Sequence, residues 1–534
     1  MTTNVALAPG LYYEALRPPA DPQPLRSDIA AFVGRTRRGP IGVAIRVEGW
    51  REYIQVFGDL VASADTPYAI RGYFENGGEL AWIVRLPDPE LVTGVATWSA
   101  VLDSTWGTPL DRYDVIAATP GTWSTGAQIE LVWHHDAMRA APVFDITVHT
   151  ADDGIERLDG VPADQLATEV ARRSNLIRFV PGAALGNPPA APNQRVRRVV
   201  LAMAPLGVDQ WPAWLRAQLL PSPDAALDPH SRYLAAVDAL IDQPEVALLA
   251  FPDLFNDFSP DEWAGSGDAA DVLRTAIAAA DELRDRLVLV DLPPHDALPP
   301  VAALLQWLDV LGRIDGTHIW RAAAAYHPPI WVQDPLGGVT HPLRRIAPSG
   351  HVAGSISQTD RERGAHQTPA NVPLLDVVDL TEERTPAEHG LLNDAGLNLI
   401  RCVSRRGFAV MGGRTLDRVE GYRFVAHRRL LHRLVRAIQS AAEPLVFETN
   451  GPDLWVAFVR AATQVLLAAW RVGALKGERP EQAFRVQCDA DTNPPAEIDS
   501  GRCVCLIAFA PAVPMEFILL RVAVSRDGSL EVLT

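Results

Sequence analysis

Lysine is nearly missing from this sequence: Lys476 stands alone among 48 basic residues, the others being arginine. Codon bias is enough to account for that. With 65 acidic residues the formal net charge is −17, a balance that argues against general nucleic-acid binding. Cysteine is also scarce, at Cys402, Cys488, Cys503 and Cys505, and no Cys-x-x-Cys pair occurs. Cys503 and Cys505 lie two apart in an apolar run and therefore share one face of a strand. This spacing predicts buried free thiols, as in a reducing cytoplasm, and neither a disulfide framework nor a zinc site. No run of about 18 apolar residues is present, so no membrane span is expected. The opening MTTNVALAPG lacks a charged region and an apolar core, so no signal peptide is expected. There is no Gly-x-x-x-x-Gly-Lys-Ser/Thr phosphate cradle and no Gly-x-Ser-x-Gly nucleophile elbow.

What is present is ordinary globular composition, 48% apolar and 21% charged, over a length that suits about three or four domains. Charge is uneven. From Leu392 onward there are 18 basic and 15 acidic residues, so the excess acid lies in the preceding part.

The N-terminal stretch 1–26 carries Pro9, Pro18, Pro19, Pro22 and Pro24. Proline lacks the donor a sheet ladder needs, so only Thr2 to Leu7 can be a strand here. Ile29 to Gly34 reads as a buried strand. Trp50 to Phe57 and Tyr68 to Asn76 read as helices, stopped by Gly58 and by Gly77-Gly78. Leu80 to Arg85 is the next strand. Residues 91–195 change character to short apolar or alternating runs between turn residues (Val115 to Ala118, Ala127 to Trp133, Phe144 to His149, Asn175 to Val180), predicting a β-rich insertion with few helices. The Pro-rich segment Pro181 to Pro192 leads out of it. From Val196 strands and helices alternate: Val246 to Phe251 and Leu287 to Leu292 as strands, Arg232 to Ile241, Ala269 to Arg284 and Leu298 to Leu311 as helices. That alternation predicts a mostly parallel sheet. Further on, Tyr422 to Ala442 and Asp453 to Val472 are helices, with Asn450 placed to cap the second. Ala483 to Cys488, Cys503 to Phe509, Glu516 to Val524 and Leu530 to Thr534 are strands.

The most distinctive stretch is Leu392 to Leu416, LNDAGLNLIRCVSRRGFAVMGGRTL. Leu397 to Cys402 and Phe408 to Met411 read as two strands joined by Arg405-Arg406-Gly407, a hairpin whose glycine is free to take positive φ. It contains no nucleophile–base pair and no metal spacing. Its motif, Leu-Asn-x-x-Gly-Leu-Asn-x-Ile-Arg followed by Arg-Gly and Gly-x-Arg-Thr-Leu, resembles the signature of contractile tail sheath proteins of phage tails, R-type pyocins and extracellular contractile injection systems. The usual ending is Trp-Gly-Ala-Arg-Thr-Leu, where this chain has Met411-Gly412-Gly413-Arg414-Thr415-Leu416. Other segments agree: Pro9 to Glu14, Phe32 to Gly34, Gly39-Pro40, Phe74 to Gly78, Pro120 to Trp123, Pro348 to Gly354 and Thr359 to Gly364. Thr368-Pro369-Ala370-Asn371 is similar to the family's Ala-Pro-Ala-Asn, and Phe447 to Asn450 to its Phe-Glu-Pro-Asn.

The resemblance implies a multidomain α/β protein, with a central subtilisin-like α/β domain (27–90 and 196–391), a β-rich outer insertion (91–195) and an α+β C-terminal sheath domain (392–528). An N-terminal arm (1–26) and a C-terminal strand (529–534) would link subunits. By β-augmentation, which joins chains through main-chain hydrogen bonds, Thr2, Thr3, Asn4, Val5, Ala6 and Leu7, and Leu530, Glu531, Val532, Leu533 and Thr534, would add to sheets of neighbouring copies. Implied partners are the chain itself, as a helical homopolymer of stacked rings, an inner tube protein, and baseplate and cap proteins. No cofactor, metal, catalysis, nucleic acid or membrane insertion is implied. Assembly is expected in the cytoplasm, as part of a phage tail or tail-like particle.

Alternative chemistries are sparse. A subtilisin-like outline invites a hydrolase reading, and Ser349, His351, Ser355 and Asp360 lie close together in sequence, but a triad needs a base within reach of the nucleophile. The bland reading is a turn segment with satisfied polar groups. Trp133-His134-His135-Asp136 places adjacent histidines on opposite strand faces, a poor arrangement for one ion. Arg429, Arg433 and Arg436 form a stripe on the 422–442 helix, either a solvated face or a contact for the tube or a neighbouring subunit. A baseplate or adaptor module of the same particle is the remaining alternative.

Overall fold

The computed structural model describes residues 26–87, 92–98, 113–134, 143–150, 154–181, 198–219, 228–295, 299–313, 318–445, 448–512, 518–524 and 530–533. Two compact units result, residues 26–432 and, among the described residues, 433–533. The dividing point falls inside the helix Val425–Ala442. The expected arm strand Thr2 to Leu7 lies outside the described residues.

The first unit is built on an eight-stranded sheet. Its spatial order is Gly407–Val410, Leu397–Val403, Ala323–His327, Leu287–Asp291, Leu248–Ala250, Ala30–Arg35, Ala81–Leu86 and Ala44–Val47. The six inner strands are parallel, and each edge strand is antiparallel to its neighbour. Because neighbouring residues of a strand face opposite sides, the runs sort their side chains into two cores. Ala31, Val33, Leu249, Val288 and Val290 enter one, with the helices Pro229–Ile241 and Asp268–Leu283. Ala30, Phe32, Leu248, Leu287 and Leu289 enter the other, beneath Thr66–Glu75 and Ser349–Arg363. Burial on both faces explains why these strands read as unbroken apolar runs.

Ser349–Arg363 corrects the expectation of a turn segment. It is a 15-residue helix packed on Thr66–Glu75. Its glycines and hydroxyl residues hide the helical period, and packing supplies what propensity lacks. A Cβ on Gly350 would overlap the backbone of Ala69, and one on Gly354 would lie 2.5 Å from the carbonyl oxygen of Tyr73. The two glycines, four apart, let the helices approach closely.

The insertion is two four-stranded sheets. One has the order Arg198–Ala202, Gln128–His134, Val143–His149 and Ile155–Pro162. The other runs Ala204–Gly207, Val92–Trp98, Tyr113–Ala117 and Ile177–Pro181. Residues of both sheets, among them Val115, Ile129, Phe144 and Ile177, share one core with Trp123. The insertion therefore extends to Gly207, not to 195, because Arg198–Ala202 and Ala204–Gly207 pair only with its strands. It also holds a helix, Leu166–Arg173, which the strand-like spacing did not announce.

The second unit is an antiparallel sheet with the order Phe484–Gln487, Cys503–Phe509, Ile518–Val524 and Leu530–Leu533, and the helix Pro452–Arg471 packs on its first two strands. That helix buries Leu454, Trp455, Phe458, Ala462, Val465 and Leu466 at spacings of one to four. Among the described residues it alone is long and apolar enough to cross a membrane by length and composition, and only 22% of that apolar stretch is buried. Asn450 does not cap it. Its side chain accepts from the Trp455 indole N–H (3.0 Å) and donates to the Arg502 carbonyl (2.9 Å).

Candidate functional site

The stretch Leu392 to Leu416 belongs to the large sheet of the first unit, not to a C-terminal domain beginning at 392. Leu397–Val403 pairs in parallel with Ala323–His327 and in antiparallel with Gly407–Val410. The hairpin turn has positive φ at Gly407 (79°) and at Arg405 (67°).

The polar residues of the signature form a clasp. Asn398, fully buried, donates through Nδ2 to the carbonyls of Ala325 (3.0 Å) and Arg414 (2.8 Å) and accepts at Oδ1 from the Arg414 N–H (2.7 Å). One side-chain amide thus ties the centre of the sheet to the Gly-Gly-Arg-Thr-Leu segment. Gly396 has φ 95°, and a Cβ there would lie 2.6 Å from the Thr415 carbonyl oxygen. A Cβ on Gly412 would come within 2.7 Å of Asn398 Oδ1. Both glycines are required by close approach. Thr415 then docks the entry of the long helix: its N–H donates to the Arg423 carbonyl and its hydroxyl to the Tyr422 carbonyl. The Arg414 guanidinium lies 5.0 Å from the centre of the Phe424 ring. His389 donates from Nε2 to the Met411 carbonyl (2.9 Å), which leaves Nδ1 to face Arg401.

The arginine stripe is corrected at Arg429. That guanidinium is buried and forked onto both oxygens of Asp360, and it donates to the Ser27 carbonyl (2.6 Å). It is an internal strut and is not presented to a partner. The amphipathic pattern misplaced it because an arginine paired with a buried carboxylate looks, in sequence, like a solvated one. Arg436 is also buried, and Arg433 is half-buried. Beside Arg429, Arg428 donates to Asp281 Oδ1 (2.7 Å), and Arg321 donates to the same carboxylate, from Nε to Oδ1 (2.7 Å) and from Nη2 to Oδ2 (3.1 Å). Burial pushes the Arg428 guanidinium down to about 10 against the attraction of Asp281.

No triad forms among Ser349, His351, Ser355 and Asp360. Both ring nitrogens of His351 are buried without a hydrogen-bond partner among the described residues. Its ring fills the space over Gly72, and burial pushes its pKa down to about 3. Asp360 is committed to Arg429. The Ser349 N–H donates to Asp291 (3.1 Å), whose carboxyl burial pushes up to about 7. His134 lies exposed, 3.5 Å from Asp145, while His135 and Asp136 lie outside the described residues.

Leu530–Leu533 pairs in antiparallel with Ile518–Val524 of the same chain, Leu530 opposite Val524 and Leu533 opposite Arg521. The C-terminal segment therefore has a sheet of its own to join. Thr534, Thr2, Thr3, Asn4, Val5, Ala6 and Leu7 lie outside the described residues. The cysteines are corrected too: Cys488 and Cys505 form a disulfide, leaving Cys402 and Cys503 free. The spacing rule considered neighbours in sequence, whereas strand pairing brings these two together across 17 residues.

These features define an α/β protein whose signature residues serve architecture, and comparison with known proteins points the same way. Residues 418–525 match the family model of the phage tail sheath C-terminal domain. A putative prophage major tail sheath protein of Pseudomonas aeruginosa (strain UCBPP-PA14) is 25% identical over 261 residues, covering 45% of this chain and 66% of that protein. The tail sheath protein of Enterobacteria phage T4 is 24% identical over 287 residues, covering 49% of this chain and 40% of that protein. The chain thus matches less than two thirds of the length of either relative. Among solved structures, the contracted helical sheath of the anti-feeding prophage aligns at TM-score 0.54 and 21% identity over 96% of this chain and 98% of that one. The sheath tail protein Lin1278 from Listeria innocua aligns at TM-score 0.61 and 11% identity over 93% and 95%. The resemblance to contractile tail sheath proteins read from the motifs is borne out, and the sheath fold extends over nearly the whole chain.

Proposed function

We propose that this chain is the structural subunit of a contractile sheath, which polymerises as a helical sleeve around an inner tube and contracts to drive the tube through a target envelope. The observation that carries this reading is a sheath C-terminal domain match at 418–525 within a chain whose fold aligns over 96% of its length with a contracted sheath. Its partners are copies of itself, an inner tube protein, and baseplate and cap proteins. Assembly takes place in the cytoplasm, and the subunit then resides in a phage tail or tail-like particle. The chain is not an enzyme. A hydrolase of the same outline is disfavoured by His351, whose two buried ring nitrogens have no hydrogen-bond partner among the described residues. In this reading the central domain has the subtilisin-like outline and residues 91–207 face outward, away from the lattice.

Subunits are linked through their termini. The strand Leu530–Leu533, which closes its own sheet in the isolated chain, takes the same register on the Ile518–Val524 strand of a neighbouring copy, as in domain swapping. The arm Thr2 to Leu7 adds to a neighbour's sheet in the same manner. The test is electron microscopy of the overexpressed chain, with hollow tubes or rings as the expected result. A monomer at high concentration by light scattering would sink the reading.

A further inference from the structure

The second unit gathers three of the four cysteines in one place. Cys503 and Cys505 lie on one face of the strand Cys503–Phe509. Cys488 follows the strand Phe484–Gln487, which pairs with Cys503–Phe509 so that Gln487 faces Leu506. The next step along the ladder sets Cys488 opposite Cys505, with Cα atoms 4.5 Å apart, and Cys503 on the diagonal. All three sulfur atoms lie within 4.8 Å of one another, and Cys488 Sγ is 3.7 Å from Cys503 Sγ. A disulfide joins only two of them and leaves the third as a buried thiol, whose pKa burial pushes up to about 11.

The surroundings are fixed. Asn493, 1% exposed, accepts at Oδ1 from the Val504 N–H (2.6 Å) and donates from Nδ2 to the carbonyls of Val504 (3.0 Å) and Asp489 (3.0 Å), with Nδ2 3.8 Å from Cys488 Sγ. Asp489 Oδ1 accepts from the N–H groups of Asp491 and Thr492, which closes the loop over the cluster. Cys503 and Cys505 are buried and Cys488 is half-buried, so the group is reached from the Cys488 side.

We propose that, with the disulfide reduced, Cys488, Cys503 and Cys505 hold one thiophilic divalent cation of the zinc class. Tetrahedral thiolate sites have metal–sulfur bonds of about 2.3 Å, which sets their sulfur–sulfur edges at about 3.8 Å, and the Cys488–Cys503 separation already has that length. Asn493 is the outer partner, its Nδ2 in contact with Cys488 Sγ and its two bonds to Val504 holding the backbone between Cys503 and Cys505. The fourth position faces the open side, where water completes the shell. A dithiol reductant supplies two electrons and two protons to the Cys488–Cys505 bond and leaves as its own cyclic disulfide. The cation then displaces three protons as the three thiols become thiolates. Disulfide and cation are alternative closures of one cluster, and neither depends on polymerisation.

The test uses the full chain, reduced with a dithiol, freed of metal and reductant without oxygen, and titrated with cobalt(II). The expected result is one cobalt per chain with thiolate-to-metal charge-transfer absorption, bleached by zinc(II). The same wild-type protein in its disulfide form takes up none. Cys503→Ser weakens binding by more than the roughly 10–100-fold that an outer-shell change costs, while Cys402→Ser leaves it unchanged. Absence of the absorption in the reduced wild type, equal uptake by the disulfide form, or an unaltered titration in a folded Cys503→Ser protein would each overturn the proposal.

Discussion

A Cβ on Gly413 would overlap Cγ2 of Thr368. The two positions are also two of the places where this chain departs from the sheath signature, which has alanine at each. A methyl group has in effect moved from one side of the contact to the other, so the departures in Gly-Gly-Arg-Thr-Leu and Thr-Pro-Ala-Asn are two parts of one packing solution.

Gly413→Ala alone should therefore destabilise the chain by about 0.5–1.5 kcal/mol, the cost of turning Thr368 out of its rotamer. Thr368→Ala combined with it should restore stability. Urea denaturation of both single variants and the double variant supplies the cycle. Additive effects would mean that the two residues are not coupled.

Asp281 is shared by Arg321 and Arg428, both buried. Removing its charge leaves two guanidinium groups without their counterion. Asp281→Asn should cost about 3–5 kcal/mol, read as a lower urea midpoint. Asp394→Asn removes the partner of Arg423 at an exposed carboxylate and should change the midpoint little. Similar losses in the two variants would contradict the account.

Two buried groups bend the pH profile in opposite directions. His351 has a folded pKa of about 3 against the usual 6.5, so the unfolded state binds the extra proton and stability is lost as pH falls from 6.5 towards 3. Asp291 has a folded pKa of about 7 against the usual 3.8, so the native state binds the extra proton and stability is lost as pH rises from 3.8 to 7. His351→Leu should make the chain less acid-labile than the wild type, and Asp291→Asn should make it more acid-labile than the wild type. Melting temperatures at pH 7 and pH 4.5 decide it, and the two variants should diverge.

Deleting residues 529–534 should abolish polymerisation and leave the monomer folded. The segment contributes a few edge-strand hydrogen bonds to its own sheet, each worth roughly 0.5–1.5 kcal/mol net. The same bonds repeated at every lattice point act as multivalent links. A fall of tens of degrees in the monomer melting temperature would place the strand in its own subunit's core and rule out exchange.

The sequence by itself determined the parallel sheet. The runs 287–290 and 30–33 are apolar at every position because both faces are covered, and that pattern is local. It also determined the helix Trp50–Phe57 and the hairpin turn at Gly407. Tertiary structure decided what depends on a partner distant in the chain. The helix Ser349–Arg363 owes its place to Thr66–Glu75, against which its glycines pack. Arg429 became a buried strut because Asp360 meets it from 69 residues away. Asn398 became a clasp because Ala325 and Arg414 reach it from opposite sides in sequence, and Cys488 met Cys505 through strand pairing. A residue's periodicity records which side of its own element it occupies. Its chemistry is set by the group that folding places opposite it, and no local pattern carries that information.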